Sequence, residues 1–130
     1  MRYLLDTDIL IEVLRNNKQV AEQLKSLQRS GDAVCYSPIT KAEIHHGLRD
    51  GEETRTARLF EAMECLNIDD ATGEKAGEYL RTFRKSHGLE LADALIAASA
   101  FQEQATFITF NRRHYPMTDI QFRDLTRENS

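Results

Sequence analysis

Leu91–Phe101 restricts the fold of this chain more than any other segment. Ala92, Ala94, Leu95, Ile96, Ala97, Ala98, Ala100 and Phe101 place apolar side chains on nearly every side of one helix. A helix without a wet face has to be buried, so other elements must wrap around it. The rest of the sequence supplies them. Arg2–Leu5, Ala33–Tyr36, Leu66–Ile68, Thr106–Phe110 and Ile120–Phe122 read as short β-runs. Helical spacing recurs between them, over Ile9–Arg15, Val20–Gln28, Ile39–Leu48, Glu53–Met63 and Thr72–Lys85. Ser37-Pro38 is an N-cap followed by a first-turn proline, and Gly88 is a stop. Strands alternating with helices predict a parallel sheet covered on both faces. In such sheets ligands bind beyond the carboxyl ends of the strands.

A length of 130 residues predicts a single domain over 1–130 with a core of its own. Formal charge is −4 and evenly spread, with 9 basic and 11 acidic side chains in residues 1–65 and 8 and 10 in residues 66–130. That excludes a basic arm, an acidic tail and a simple nucleic-acid coat. The first apolar run stops at Asp6, too short for a secretory leader or a membrane span. Cys35 and Cys65 lack a CxxC spacing and read as two free buried thiols in a reducing, cytoplasmic setting.

Three acids stand where packing alone would not put them. Asp6 ends the first strand, at the mouth where ligands bind, although an aspartate there can equally cap the next helix. Glu43 is set among Ile39, Ala42 and Gly47 and reads as interrupting an apolar face, where it needs either an arginine or a cation. Asp93 lies in the first turn of the alanine-rich helix; the helix dipole favours an acid there but does not explain one on so apolar a helix. Converging carboxylates repel, and protonation or a divalent cation relieves them. Hard oxygen donors without zinc-spaced Cys or His favour Mg²⁺ or Mn²⁺.

With these positions in view, the chain resembles the PIN-domain ribonucleases, in particular the VapC-type toxins of toxin–antitoxin pairs. The matching stretches are Leu4-Leu5-Asp6-Thr7-Asp8-Ile9-Leu10-Ile11 and Ser37-Pro38-Ile39-Thr40-Lys41-Ala42-Glu43-Ile44 with Gly47-Leu48. They continue as Ala92-Asp93-Ala94-Leu95-Ile96-Ala97-Ala98 and Ile108-Thr109-Phe110-Asn111-Arg112-Arg113-His114-Tyr115-Pro116-Met117. The resemblance implies a PIN-like three-layer α/β/α fold with a five-stranded parallel sheet of order 3-2-1-4-5. It implies that Asp6, Glu43 and Asp93 hold Mg²⁺ or Mn²⁺, and that a metal-activated water cleaves RNA without a covalent intermediate. Thr7 and Thr109 would orient carboxylates or water, and Asn111 would hold the strand-end loop or a phosphate. A cognate antitoxin and homodimerisation are implied as well. Asp8 stands where many relatives carry Asn or Ser, so it adds a ligand or caps the helix. His114 stands near a usual fourth acid, which implies one tight ion and a second completed by RNA phosphate.

Two other functions fit parts of the sequence. Strand–Asp6-Thr7-Asp8 resembles the nucleophile of haloacid-dehalogenase-type phosphohydrolases, which also want a later lysine and acidic pair; no lysine follows Lys85. A receiver domain fails on the same lysine. A PIN-like binding module with residual acids is the non-enzymatic alternative. Arg112 and Arg113 lie close to the expected site and read as phosphate contacts. Arg81, Arg84 and Lys85 form a stripe that is either a solvated face or an RNA-backbone contact. Tyr79 and Phe83 read as core or dimer contact, and His45, His46 and His87 as surface residues without zinc spacing.

Overall fold

Four short parallel strands form the centre of the molecule: β1 (Arg2–Leu5), β2 (Ala33–Tyr36), β3 (Glu64–Cys65) and β4 (Thr106–Ile108), in the order β3-β2-β1-β4. The structure is a computed structural model and describes residues 1–127. Two helices fill each connection. α1 (Thr7–Leu14) and α2 (Lys18–Arg29) join β1 to β2, and α3 (Pro38–His46) and α4 (Glu53–Glu61) join β2 to β3. α5 (Asp70–His87) and α6 (Leu91–Gln102) join β3 to β4.

Alternation along the strands separates two cores. Leu4, Cys35 and Phe107 point to one face and pack with Ala76 and Tyr79 of α5 and Ala94, Ile96, Ala97 and Ala98 of α6. Tyr3, Leu5, Val34, Tyr36 and Ile108 point to the other, where Ile9, Leu10, Val20, Leu24, Ile44 and Phe60 meet them. α6 is buried as its composition demands, with Ala94 and Ala97 both fully inaccessible. Its exceptions are at the ends, Leu91 and Phe101.

Three expectations are corrected. The third strand lies at Glu64–Cys65, not Leu66–Ile68. It pairs on one edge only, and Leu66 turns inward to the core while its N–H still donates to Tyr36 O at 2.9 Å. The fifth strand at Ile120–Phe122 is a single parallel bridge, Phe107 to Phe122, flanked by Phe107 N to Gln121 O at 2.8 Å and Arg123 N to Phe107 O at 3.0 Å. It sits beyond β4, where a fifth strand would, but β4 is only three residues long and offers little edge. Both cysteines are free, yet only Cys35 is buried, its thiol pushed up to about 11 by burial and the Glu64 charge; Cys65 is exposed. Among the described residues no helix is long and apolar enough to cross a membrane.

Candidate active site

The carboxyl ends of two neighbouring strands, β1 and β4, supply the centre of the site. Asp6 follows β1 directly, and its N–H extends the ladder to Ile108 O at 2.9 Å. Its side chain is 7% exposed and accepts three hydrogen bonds. Thr7 N–H donates to Oδ1 at 2.9 Å, while the Thr109 hydroxyl and the Tyr115 phenol donate to Oδ2 at 2.8 and 3.0 Å. Asp6 therefore does cap α1, and the cap faces a cluster of other acids. Burial pushes its carboxyl up from the usual range, the hydrogen bonds pull it down, and the Asp93 charge raises it further.

Asp93 reaches the cluster from the first turn of α6. Its Oδ1 accepts from the Tyr115 phenol at 3.3 Å, and its Oδ2 lies 2.8 Å from His114 Nε2 and 3.2 Å from Glu90 N. A single phenol oxygen thus joins Asp6 and Asp93. Asp8, in the first turn of α1, has Oδ2 3.0 Å from Phe110 N and 3.4 Å from the Thr109 hydroxyl. Its Oδ1 is buried with no partner. Burial, then the Asp6 charge, pushes this carboxyl up to about 6.

Glu43 departs from its expected setting. It is exposed on α3 rather than seated in an apolar face; the helix buries Thr40 and Ile44 instead. The Thr7 hydroxyl donates to Glu43 Oε1 at 2.6 Å and lies 3.0 Å from the Thr40 hydroxyl. Thr7 thus stands between Glu43 and the Asp6–Asp93 pair. No arginine pairs with Glu43 among the described residues. Thr109 ties Asp6 to the loop, since its hydroxyl also accepts Asn111 N–H at 3.0 Å. Asn111 contributes through its backbone, and its side chain makes no capping bond.

The adjacent arginines divide. Arg112 donates from Nη1 to Tyr115 O at 2.7 Å and lays its guanidinium 3.5 Å above the Phe122 ring, which makes it a brace for the loop. Both are exposed, but Arg113 has no ion pair or ring contact among the described residues. Tyr115 carries no site role in the sequence reading. It stands there only as part of the matching stretch Ile108–Met117, and the structure adds that its hydroxyl is aimed at two carboxylates.

Among the described residues no three His, Cys, Asp or Glu side chains stand close enough together to form an ion cage. Tyr115 and Thr7 are interleaved between the acids. The donor chemistry nevertheless fits a hard divalent ion. Asp6, Asp8 and Asp93 are partly or wholly buried, no lysine or arginine neutralises them among the described residues, and Asp8 Oδ1 is orphaned.

The PIN domain family pattern matches residues 3–119. This chain is a member of the PIN-domain family. Ribonuclease VapC19 of Mycobacterium tuberculosis strain H37Rv is 32% identical over 120 residues, which cover 91% of this PIN domain and 96% of that protein. The VapBC-1 structure from nontypeable Haemophilus influenzae superposes with a TM-score of 0.78 at 29% identity, over 95% of this chain and 98% of that one. The DNA-bound VapBC2 of Rickettsia felis gives 0.81 at 24% identity, over 97% and 100%, a likeness of fold. Asp6, Glu43 and Asp93 all fall inside the matched span of the PIN domain.

Proposed function

We propose that this PIN domain, a single domain over 1–130, is a VapC-type ribonuclease toxin that hydrolyses RNA phosphodiesters with Mg²⁺ or Mn²⁺. The observation that carries the reading is the acid pair Asp6–Asp93 at the carboxyl edge of the sheet, joined through one phenol and neutralised by no lysine or arginine among the described residues. The relative named above as a ribonuclease, VapC19, supports the reaction class.

Asp6 and Asp93, with Glu43 beside them, are the residues that would hold the ion. A divalent ion bound there supplies positive charge to a phosphate oxygen and lowers the pKa of a water. Thr109 fixes the Asp6 carboxylate, and Thr7 fixes Glu43. His114 and Glu90 N hold Asp93 in one rotamer. Arg113 is free to contact an RNA phosphate near the site, a role that Arg112 gives up to Phe122. The phosphohydrolase alternative wants a lysine beside its nucleophile, and no lysine pairs with Asp6 among the described residues. In the reaction proposed, water is the nucleophile and no phosphoenzyme forms on Asp6.

Complexes named VapBC among the solved relatives support a cognate antitoxin as the partner of this chain. A groove of about 280 Å³, walled by Ile11, Leu14, Ile44 and Leu48, ends at Glu43 and offers apolar surface next to the acids. A larger cavity of about 670 Å³ opens at the amino ends of the strands, near Met1 and Thr106, away from the cluster. Its one acid, Asp119, pairs with Lys75 at 2.7 Å, so it offers no catalytic group. Homodimerisation and a cytoplasmic location complete the proposal.

Incubating the pure chain with a single-stranded RNA tests it. Cleavage is expected with Mg²⁺ or Mn²⁺, to stop with chelator, and to fall more than about 100-fold in Asp6→Asn, since even outer partners of metal sites contribute about 10–100-fold. Cleavage that persists in chelator, or a phosphate trapped on Asp6, would overturn the reading.

A further inference from the structure

The phenol of Tyr115 stands between the two acids that define the site. Its oxygen is 3.0 Å from Asp6 Oδ2 and 3.3 Å from Asp93 Oδ1, so one proton serves two carboxylates. The side chain is only 1% exposed. Its ring meets Phe107 edge-on at 4.9 Å and His114 at 5.5 Å. Its carbonyl is clamped by Arg112 at 2.7 Å. A ring held this firmly cannot swing away, and any exchange at its tip is confined to the hydroxyl. Besides this phenol, the only ion-pairing neighbour of Asp6 or Asp93 among the described residues is His114, on the far oxygen of Asp93.

A buried pair of like charges needs a positive partner between them, and an O–H dipole is the weakest form of one. The Tyr115 hydroxyl engages one oxygen of each acid, Asp6 Oδ2 and Asp93 Oδ1. A cation held by these two acids would compete with that hydroxyl for their negative charge. We infer that Tyr115 is a positioning residue whose hydroxyl bridges Asp6 and Asp93 in the ion-free protein and is displaced from at least one of them when a divalent ion binds. The inference rests on the proposal that these two acids are the ion's ligands. It makes the bridge a competitor of the ion: the phenol holds the site in shape while empty and sets how much free ion is needed to fill it.

The test is calorimetric titration of ion-free wild type and Tyr115→Phe with MgCl₂ and MnCl₂. The variant removes one oxygen and keeps the ring in its pocket. A second readout, NMR of ring-labelled tyrosine, follows the wild type alone. Tighter ion binding by the variant is expected, on the order of 10-fold, the equivalent of one hydrogen bond to a charged group. The variant should also melt below wild type without ions and close that gap when they are added; a purely structural role would leave the gap constant. In the wild type, the Tyr115 resonance should move as the ion saturates, while Tyr79, bonded to Asp119 at 2.7 Å, stays still. Equal or weaker affinity in the variant, or an unmoved Tyr115 resonance at saturation, overturns the inference and leaves the ribonuclease proposal standing. No ion binding by either protein overturns both.

Discussion

Asp8 bears the clearest energetic cost of gathering acids at one edge of a sheet. Its Oδ1 is buried without a partner, and burial with the Asp6 charge raises its pKa to about 6. A carboxyl raised in the folded state favours folding below its unfolded pKa and loses that contribution as pH rises through the folded value. The ion-free protein therefore loses stability between about pH 4 and 6, by about 2 kcal/mol after allowance for partial solvent exposure. Asp6 acts in the same direction. Asp8→Asn keeps an acceptor for Phe110 N and removes the charge. Its melting temperature is expected to exceed wild type by a few degrees at pH 7.5 and to match it near pH 4, as read by thermal melts across pH. A variant less stable at both pH values would refute this. At the level of single residues, the sequence shows Asp6 and Asp93 because acids beside apolar runs are conspicuous. It places Tyr115 in a matching stretch but not against the acids, since nothing in a sequence separates a phenol aimed at carboxylates from a core aromatic. Glu43 was readable as an acid of interest but not as an exposed one, because spacing fixes a helix face and not what covers it. The brace made by Arg112 is unreadable for a related reason: Phe122 lies in the next segment, and only the folded loop brings the two together.

Among the elements, α6 carries the strongest constraint and the sharpest expectation. It lies between α5 and the sheet, and Ala97 is completely buried where these layers meet. Small side chains here allow the helix backbone to approach its neighbours closely. Ala97→Leu should cost about 1–3 kcal/mol through overpacking, seen as a lower midpoint in urea denaturation with little change in slope. A neutral effect would mean that the layer around α6 is loose. The helices were legible in the sequence to within a few residues because their periodicity is long and their caps are specific. Ser37, for example, accepts Ile39 N–H at 3.1 Å at the start of α3, and Gly88 ends α5 with a φ of +64°. The edge strands were less legible. Two residues at β3 and a single bridge at Phe122 leave too short a pattern to place, and the inward turn of Leu66 displaced the expected run by two residues.

Over the whole molecule, a net charge of −4 excluded a basic coat protein but says little about a site where charge is local. RNA contact has to come from individual cations such as Arg113. Arg113→Ala should weaken RNA binding and reduce the slope of log affinity against log salt by about 1, whereas Arg112→Ala should mainly lower the melting temperature. Binding at several salt concentrations, paired with thermal melts, separates the two; equal effects on both readouts would remove the distinction between brace and contact. The order β3-β2-β1-β4 puts β1 and β4 side by side, and through them Asp6, Thr109 and the loop to Tyr115. This juxtaposition of residues about a hundred positions apart is what the fold contributes and what no local pattern encodes. Its most direct test is cleavage of a single-stranded RNA in Mg²⁺ by wild type and Asp93→Asn, with circular dichroism to show both folded. Wild type should cleave, and the folded variant should lose more than about 100-fold of that activity. A folded Asp93→Asn that cleaves as fast as wild type would contradict the assignment of the Asp6–Asp93 pair as the catalytic centre.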